Sequence, residues 1–245
     1  MTTIQTNLQA VHARIAAACV RAGRPENSVT LLAVSKTCPA TKVIDAISCG
    51  QNAFGENYVQ EGVDKIIALA NEHTRLNTTE NQALNPVLNL TWHFIGPLQS
   101  NKTRLVAEYF DWVQSIDRLK IAERLAMQRP VYLPPLQVCI QVNISGEATK
   151  SGCSPTDLPV LARAIRALPG LCLRGLMAIP EPSDDEALQY RQFRQLSGLL
   201  AQLNAEGFAL DTLSMGMSHD LEMAILAGAT MVRVGTAIFG ERVIA

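Results

Sequence analysis

The stretch Val29-Thr30-Leu31-Leu32-Ala33-Val34-Ser35-Lys36-Thr37 opens as a nearly continuous apolar run and closes on a cation. An apolar run without alternation is how a strand covered on both faces reads, because it has no wet side. Lys36 stands at the end of that strand, just before a loop that begins with Cys38-Pro39. Two readings of the lysine are open. Its head reaches water past an apolar stem, or it is held in a pocket with a lowered pKa, ready to form a Schiff base. The rest of the chain has to separate them.

Outward from this strand, apolar periodicity alternates between two and 3.6 residues. Upstream, residues 3–22 read as a helix with Ile4, Leu8, Val11, Ile15 and Cys19 on one face. Downstream, a helix over 40–49 ends at Gly50, and a short strand, Asn52-Ala53-Phe54-Gly55, leads to a helix ending near 72. Further strands are expected at 92–96, 112–116, 136–143, 171–178, 212–215 and 231–235. Helices are expected at 100–110, after an opening Asp117, at 156–168, at 184–205 and at 218–227. The segment from Arg75 to Leu90 is rich in Asn and Thr and reads as an exposed excursion. The loop Ser145 to Gly152 is polar and is expected over an active face.

Eight strands alternating with helices imply a parallel sheet. Eight such units in 245 residues favour one closed (β/α)8 TIM-type barrel over residues 1–245, with an extra N-terminal helix. An open dinucleotide-binding sheet is disfavoured, since no G-x-G-x-x-G follows the first strand.

Composition narrows the function classes. The chain is 48% hydrophobic and 18% charged, enough for a sizeable core. A net charge of −1 with interspersed signs gives no nucleic-acid footprint. No apolar stretch is long enough to span a bilayer, and the first residues do not read as a secretory signal. The six cysteines are scattered without a C-x-x-C pair, which argues against a metal or disulfide framework and fits a reducing cytoplasm.

A barrel gathers its functional groups at the C-terminal ends of its strands. That rule selects Lys36, Asn57, His93, Met177, the loop Ser214-Met215-Gly216-Met217-Ser218, and Arg233, Gly235 and Thr236. Ser218 reads as a helix N-cap, and Gly235-Thr236 as a turn with open N–H groups. Together, after strands seven and eight, they suit a phosphate. Arg233, alone in an apolar strand, is either a partner in a structural ion pair or a donor to a ligand. His93 and His219 read as core or rim residues before catalytic bases, and Asp220 and Glu222 as complements to a helix dipole.

The motifs Leu32-Ala33-Val34-Ser35-Lys36-Thr37, Phe54-Gly55-Glu56-Asn57-Tyr58 and Trp92-His93-Phe94-Ile95-Gly96-Pro97 occur in this order. They continue with Gln141-Val142-Asn143, Gly175-Leu176-Met177, Leu213-Ser214-Met215-Gly216-Met217-Ser218-His219-Asp220 and Val232-Arg233-Val234-Gly235-Thr236. In these motifs the sequence resembles the pyridoxal phosphate homeostasis proteins, relatives of the N-terminal barrel of alanine racemase. The resemblance implies a fold type III barrel for pyridoxal 5'-phosphate (PLP). It implies that Lys36 holds PLP as a covalent internal aldimine and that Ser218, Gly235 and Thr236 hold the phosphate. It further implies Arg233 beside the pyridine nitrogen, Asn57 near the 3-oxygen, and His93, Met177 and Met217 around the ring.

An arginine there disfavours protonation of the pyridine, so the ring withdraws electrons less strongly. Racemases with this arrangement use a second base, a tyrosine from a second domain of the partner subunit. Here Tyr58, Tyr109, Tyr132 and Tyr190 have no evident claim to that role. The resemblance therefore implies a non-enzymatic, cytoplasmic, monomeric PLP carrier that passes cofactor to apo PLP-dependent enzymes. Two alternatives stay open: a racemase-like enzyme with weak activity, and a Schiff-base aldolase using Lys36.

Overall fold

A computed structural model describes residues 2–77, 90–145 and 151–240. The strands are β1 (Thr30–Val34), β2 (Ala53–Glu56), β3 (Thr91–Phe94), β4 (Trp112–Ile116), β5 (Leu136–Gln141), β6 (Leu171–Met177), β7 (Thr212–Ser214) and β8 (Met231–Val234). They form a closed barrel in chain order. Every pairing is parallel, and β1 closes on β8 with Leu32 opposite Arg233. This is the (β/α)8 barrel the alternating pattern predicts.

The helices are α1 (Thr3–Arg21), α2 (Ala40–Ser48), α3 (Val59–Asn77), α4 (Thr103–Tyr109), α5 (Leu119–Gln128), α6 (Leu158–Arg166), α7 (Glu186–Ala205), α8 (Leu221–Leu226) and α9 (Thr236–Phe239). α1 is the extra helix before the first strand, and its expected apolar face is buried. α3 runs on to Asn77, so the excursion expected from Arg75 begins inside a helix, and its part at 78–89 lies outside the described residues. Residues 146–150 of the expected active-face loop lie outside them too.

Side chains alternate across each strand, so each strand has an outer row and an inner row. The outer rows, with Leu31, Ala33, Phe54, Phe94, Val113, Ile140 and Val232, join the helices in one large apolar core. Each such fully buried large side chain contributes about 2–3 kcal/mol of transfer free energy. A second, smaller cluster fills the barrel interior: Leu32, Ala53, Ile95 and Met231, with Val34 against them.

Two expected helix caps differ. Asp117 does not open α5; Arg118 holds the N-cap position, and the Asp117 carboxylate pairs with its guanidinium. Ser218 is not an N-cap either. The Asp220 carboxylate accepts from the Met217 N–H, which winds residues 217–220 into a turn, and α8 starts only at Leu221. Gly216 makes that turn possible: its φ is +93, and a Cβ there would lie 2.5 Å from Ala224 Cβ. Among the described residues no helix is long and apolar enough to cross a membrane, and no cluster of His, Cys, Asp or Glu could hold a metal ion.

Candidate functional site

Three inner rows converge at the C-terminal end of the barrel. Leu32 and Val34 on β1 are followed two residues later by Lys36, and Ala53 and Gly55 on β2 by Asn57. Met231 and Arg233 on β8 are followed by Gly235. A two-residue period thus delivers an amine, an amide and a bare backbone to one mouth. They line a cavity of about 430 Å³, joined by Met217, Ser218 and Thr236.

His93 and Met177 do not line it. Both lie deeper in the barrel, His93 on β3 and Met177 at the end of β6. Ile95 and Ile179, two residues further on, line the cavity instead. One inner-row step rises about 6.6 Å, so each differs from its neighbour by one layer.

The cavity wall carries three cations, Lys36, Lys42 and Arg233, and no carboxylate among the lining residues. Lys42, on α2, was not anticipated; its Nζ donates to Phe239 O at 2.9 Å, at the C-terminus of α9. Arg233 is 4% exposed. Its Nη1 donates to Ser214 O (2.6 Å) and Ser214 Oγ (2.8 Å), and its Nη2 to Ala178 O (2.8 Å). Among the described residues it has no ion pair, so its partners are neutral. Burial lowers its pKa to about 10, which still leaves it charged at neutral pH.

The hydrogen-bonded chain continues from Arg233 through the barrel. Ser214 Oγ donates to Gln114 Oε1 at 2.6 Å. Gln114 Nε2 donates to Met231 Sδ at 3.0 Å and lies 2.9 Å from His93 Nδ1. An amide nitrogen only donates, so Nδ1 accepts and a neutral His93 carries its proton on Nε2. The ring stacks on Trp112 with centroids 5.1 Å apart. Burial lowers the His93 pKa to about 3, so it is neutral over the ordinary pH range. Gln114 was not anticipated. Its signal was available: a lone amide in an inner-row position of the strand Trp112-Val113-Gln114-Ser115-Ile116.

Asn57 is held where β3 leaves the barrel. A Cβ at Gly96 would overlap the Asn57 carbonyl, so only glycine lets the two loops close. Asn57 Oδ1 is buried without a hydrogen-bond partner among the described residues. A buried polar atom left so is costly, and turning the amide presents either a donor or an acceptor to a ligand.

The anion side is built from two turns. Gly235 is the N-cap of α9, whose first N–H groups have no partner within the helix. A Cβ at Gly235 would lie 3.1 Å from Val34 O, so a side chain is hard to accommodate between this turn and β1. Ser218 lies in the turn before α8. α1 braces both turns: Arg14 Nη2 donates to Ser218 O (2.9 Å), and Asn7 Nδ2 to Ile238 O (2.9 Å). Arg14 is itself fixed by Glu222, 2.7 Å away on α8.

Comparisons with known proteins agree with this fold. The profile of the alanine racemase N-terminal domain family matches residues 6–243. A Pseudomonas aeruginosa protein named pyridoxal phosphate homeostasis protein is 56% identical over 242 residues, 99% of this chain and 97% of that one. Its namesake in Vibrio cholerae is 57% identical over 242 residues, 99% of this chain and 98% of that one. The solved structure of PipY from Synechococcus elongatus, with PLP bound, superposes with a TM-score of 0.78 at 35% identity, covering 97% of this chain and 100% of that one. The chain therefore belongs to the pyridoxal phosphate homeostasis protein family, within that of the alanine racemase N-terminal domain.

Proposed function

We propose that this chain binds PLP at the barrel mouth and serves in its homeostasis as a reversible carrier without dedicated catalysis. The observation that carries this reading is the charge of the cavity: three cations, one of them a strand-end lysine, and no carboxylate among the lining residues. PLP is an anionic phosphate joined to an aldehyde, and this wall offers a donor set for the first and an amine for the second. When bound, PLP supplies an electrophilic aldehyde and a ring that can withdraw electrons.

Lys36 would supply the amine that engages the aldehyde. Ser218 and the N–H groups at Gly235 and Thr236 take the phosphate. Arg233, charged and held by neutral partners, would disfavour protonation of a pyridine nitrogen placed beside it. Asn57, with its amide turned so that Nδ2 donates, would serve the 3-oxygen side, Met217 would pack on the ring, and His93 and Met177 would support it from the layer beneath. Tyr58, Tyr109, Tyr132 and Tyr190 are between 36% and 83% exposed, and none lines the cavity. That favours a carrier over a racemase, which needs a second base across the ring. One chain completes the cavity wall, which fits a monomer that works in the cytoplasm and hands PLP to apo-enzymes.

The test is an absorption spectrum of the purified protein with PLP, beside Lys36→Ala, before and after adding alanine. The expected result is a Schiff-base band in the wild type that is lost or shifted in the variant, and that alanine changes without being racemised. Racemised alanine would establish the enzyme reading. Absence of a band in both proteins would return Lys36 to the aldolase reading or to that of a lysine whose head simply reaches water.

A further inference from the structure

We propose that Glu56, Lys65 and Glu61, a charged cluster between β2 and α3, act as positioning residues for Lys36, by clamping the Ser35–Lys36–Thr37 turn. The proposal rests on the reading of the cavity as a PLP site and adds residues outside it.

Thr37 has a φ of +62, the left-handed region, and it is not glycine. A β-branched residue there is strained, and strain of this kind persists only where the surroundings over-determine the backbone. They do so here from both sides of Lys36. On the side before it, Ser35 O accepts from Lys65 Nζ at 2.7 Å, and Ser35 Oγ donates to Glu56 Oε1 at 2.6 Å. On the side after it, the Thr37 N–H donates to Glu61 Oε1 at 2.6 Å. Lys65 ties the two acids together, 2.8 Å from Glu56 Oε1 and 2.6 Å from Glu61 Oε1. All three ammonium protons of Lys65 therefore have acceptors.

The cluster is poorly explained as a source of stability. Glu56 is 0% exposed and Lys65 6%. Ions so buried lose hydration, and an apolar replacement of similar volume often holds a fold equally well. Among the described residues Glu56 Oε2 has no hydrogen-bond partner, and burial raises the pKa of that carboxyl. What the charges do achieve is placement. They reach the carbonyl before Lys36 and the amide after it, whereas apolar side chains offer a backbone nothing directional. The phosphate turns hang on β7, β8 and α1 and, among the described residues, make no hydrogen bond to this cluster. Capture of the aldehyde and binding of the phosphate are thus separable.

That separation supplies the experiment. Pyridoxamine 5'-phosphate carries the ring and phosphate of PLP but no aldehyde, so its affinity reports the cavity without Lys36 chemistry. Growth of the Schiff-base band after mixing with PLP reports the amine. Glu61 is 28% exposed in the first turn of α3, so Glu61→Ala removes the acceptor of the Thr37 N–H and one of the three acceptors of Lys65 without opening a cavity in the apolar core. The variant is expected to form the band about tenfold more slowly or worse, as a mispositioned reacting group does. Its affinity for pyridoxamine 5'-phosphate is expected to stay within about twofold of wild type. Glu61→Gln keeps an acceptor for the Thr37 N–H and should recover most of the rate. Band growth at the wild-type rate in Glu61→Ala overturns the proposal, as does a parallel loss of both ligands. A wild-type protein that binds neither ligand overturns the PLP reading itself, an outcome distinct from both.

Discussion

His93 lies between the Trp112 ring and the Gln114 amide, 2% exposed inside the barrel. In the unfolded chain its imidazole takes up a proton as pH falls through about 6.5. In the fold it stays neutral down to about pH 3. Between those values the unfolded chain binds the extra proton, so stability falls as pH falls. The group in question can be removed. His93→Asn should flatten the dependence of unfolding free energy on pH by about 1.4 kcal/mol per pH unit, between about pH 5.5 and about pH 4. Urea unfolding at a series of pH values measures it. Other groups titrating in that range are common to both proteins, so the difference in slope belongs to His93; an unchanged slope would mean that the folded imidazole is already protonated there.

At the scale of elements, α1 does more than cover the barrel. Its apolar face was legible from the period of Ile4, Leu8, Val11, Ile15 and Cys19, all buried. Its polar face was not, because the groups Arg14 reaches, Ser218 and Glu222, lie more than 200 positions away. The same division runs through the whole site. Strand rows repeat every two residues, so Lys36, Asn57 and Gly235 could be read as row ends. The Ser218 cap could not, because a single carboxylate, Asp220, redirects the turn. The contacts on the Thr37 turn were equally hidden, since they join the turn after β1 to residues of two elements, β2 and α3. α1 also supplies a test. The Arg14 and Glu222 side chains are 37% and 29% exposed, and a pair so wet contributes about 1 kcal/mol or less to stability. Arg14→Ala should therefore lower Tm by no more than about 4 °C. PLP should nevertheless leave several times faster, because the Ser218 turn loses its brace; calorimetry and stopped-flow release would measure the two effects. A release rate equal to wild type would make α1 a cover and nothing more.

For the whole molecule, the distribution of charge matters more than its sum. The net charge is only −1, yet three cations share one cavity at the C-terminal end of the barrel. Low-dielectric walls lined by one sign of charge focus the field outward and draw an anion in. The same mouth stays open to solvent: Thr37 and Pro39 on its wall are exposed, and Ile179 is 44% exposed. An enzyme that protects a reactive intermediate closes such a mouth, whereas a carrier has to let an incoming amine reach the bound aldehyde carbon. A small amine such as hydroxylamine should then release bound PLP without any prior opening of the fold. On the proposed reading, hydroxylamine would take the place of Lys36 on the aldehyde carbon and leave the lysine as a free amine. The release rate, followed by loss of the Schiff-base band, should rise in proportion to hydroxylamine concentration. A rate that levels off at low concentration would show that the protein must open first, and the mouth would then be a gate. Proportionality would mean that the barrel holds PLP by charge and one reversible bond, which is what handing it on requires.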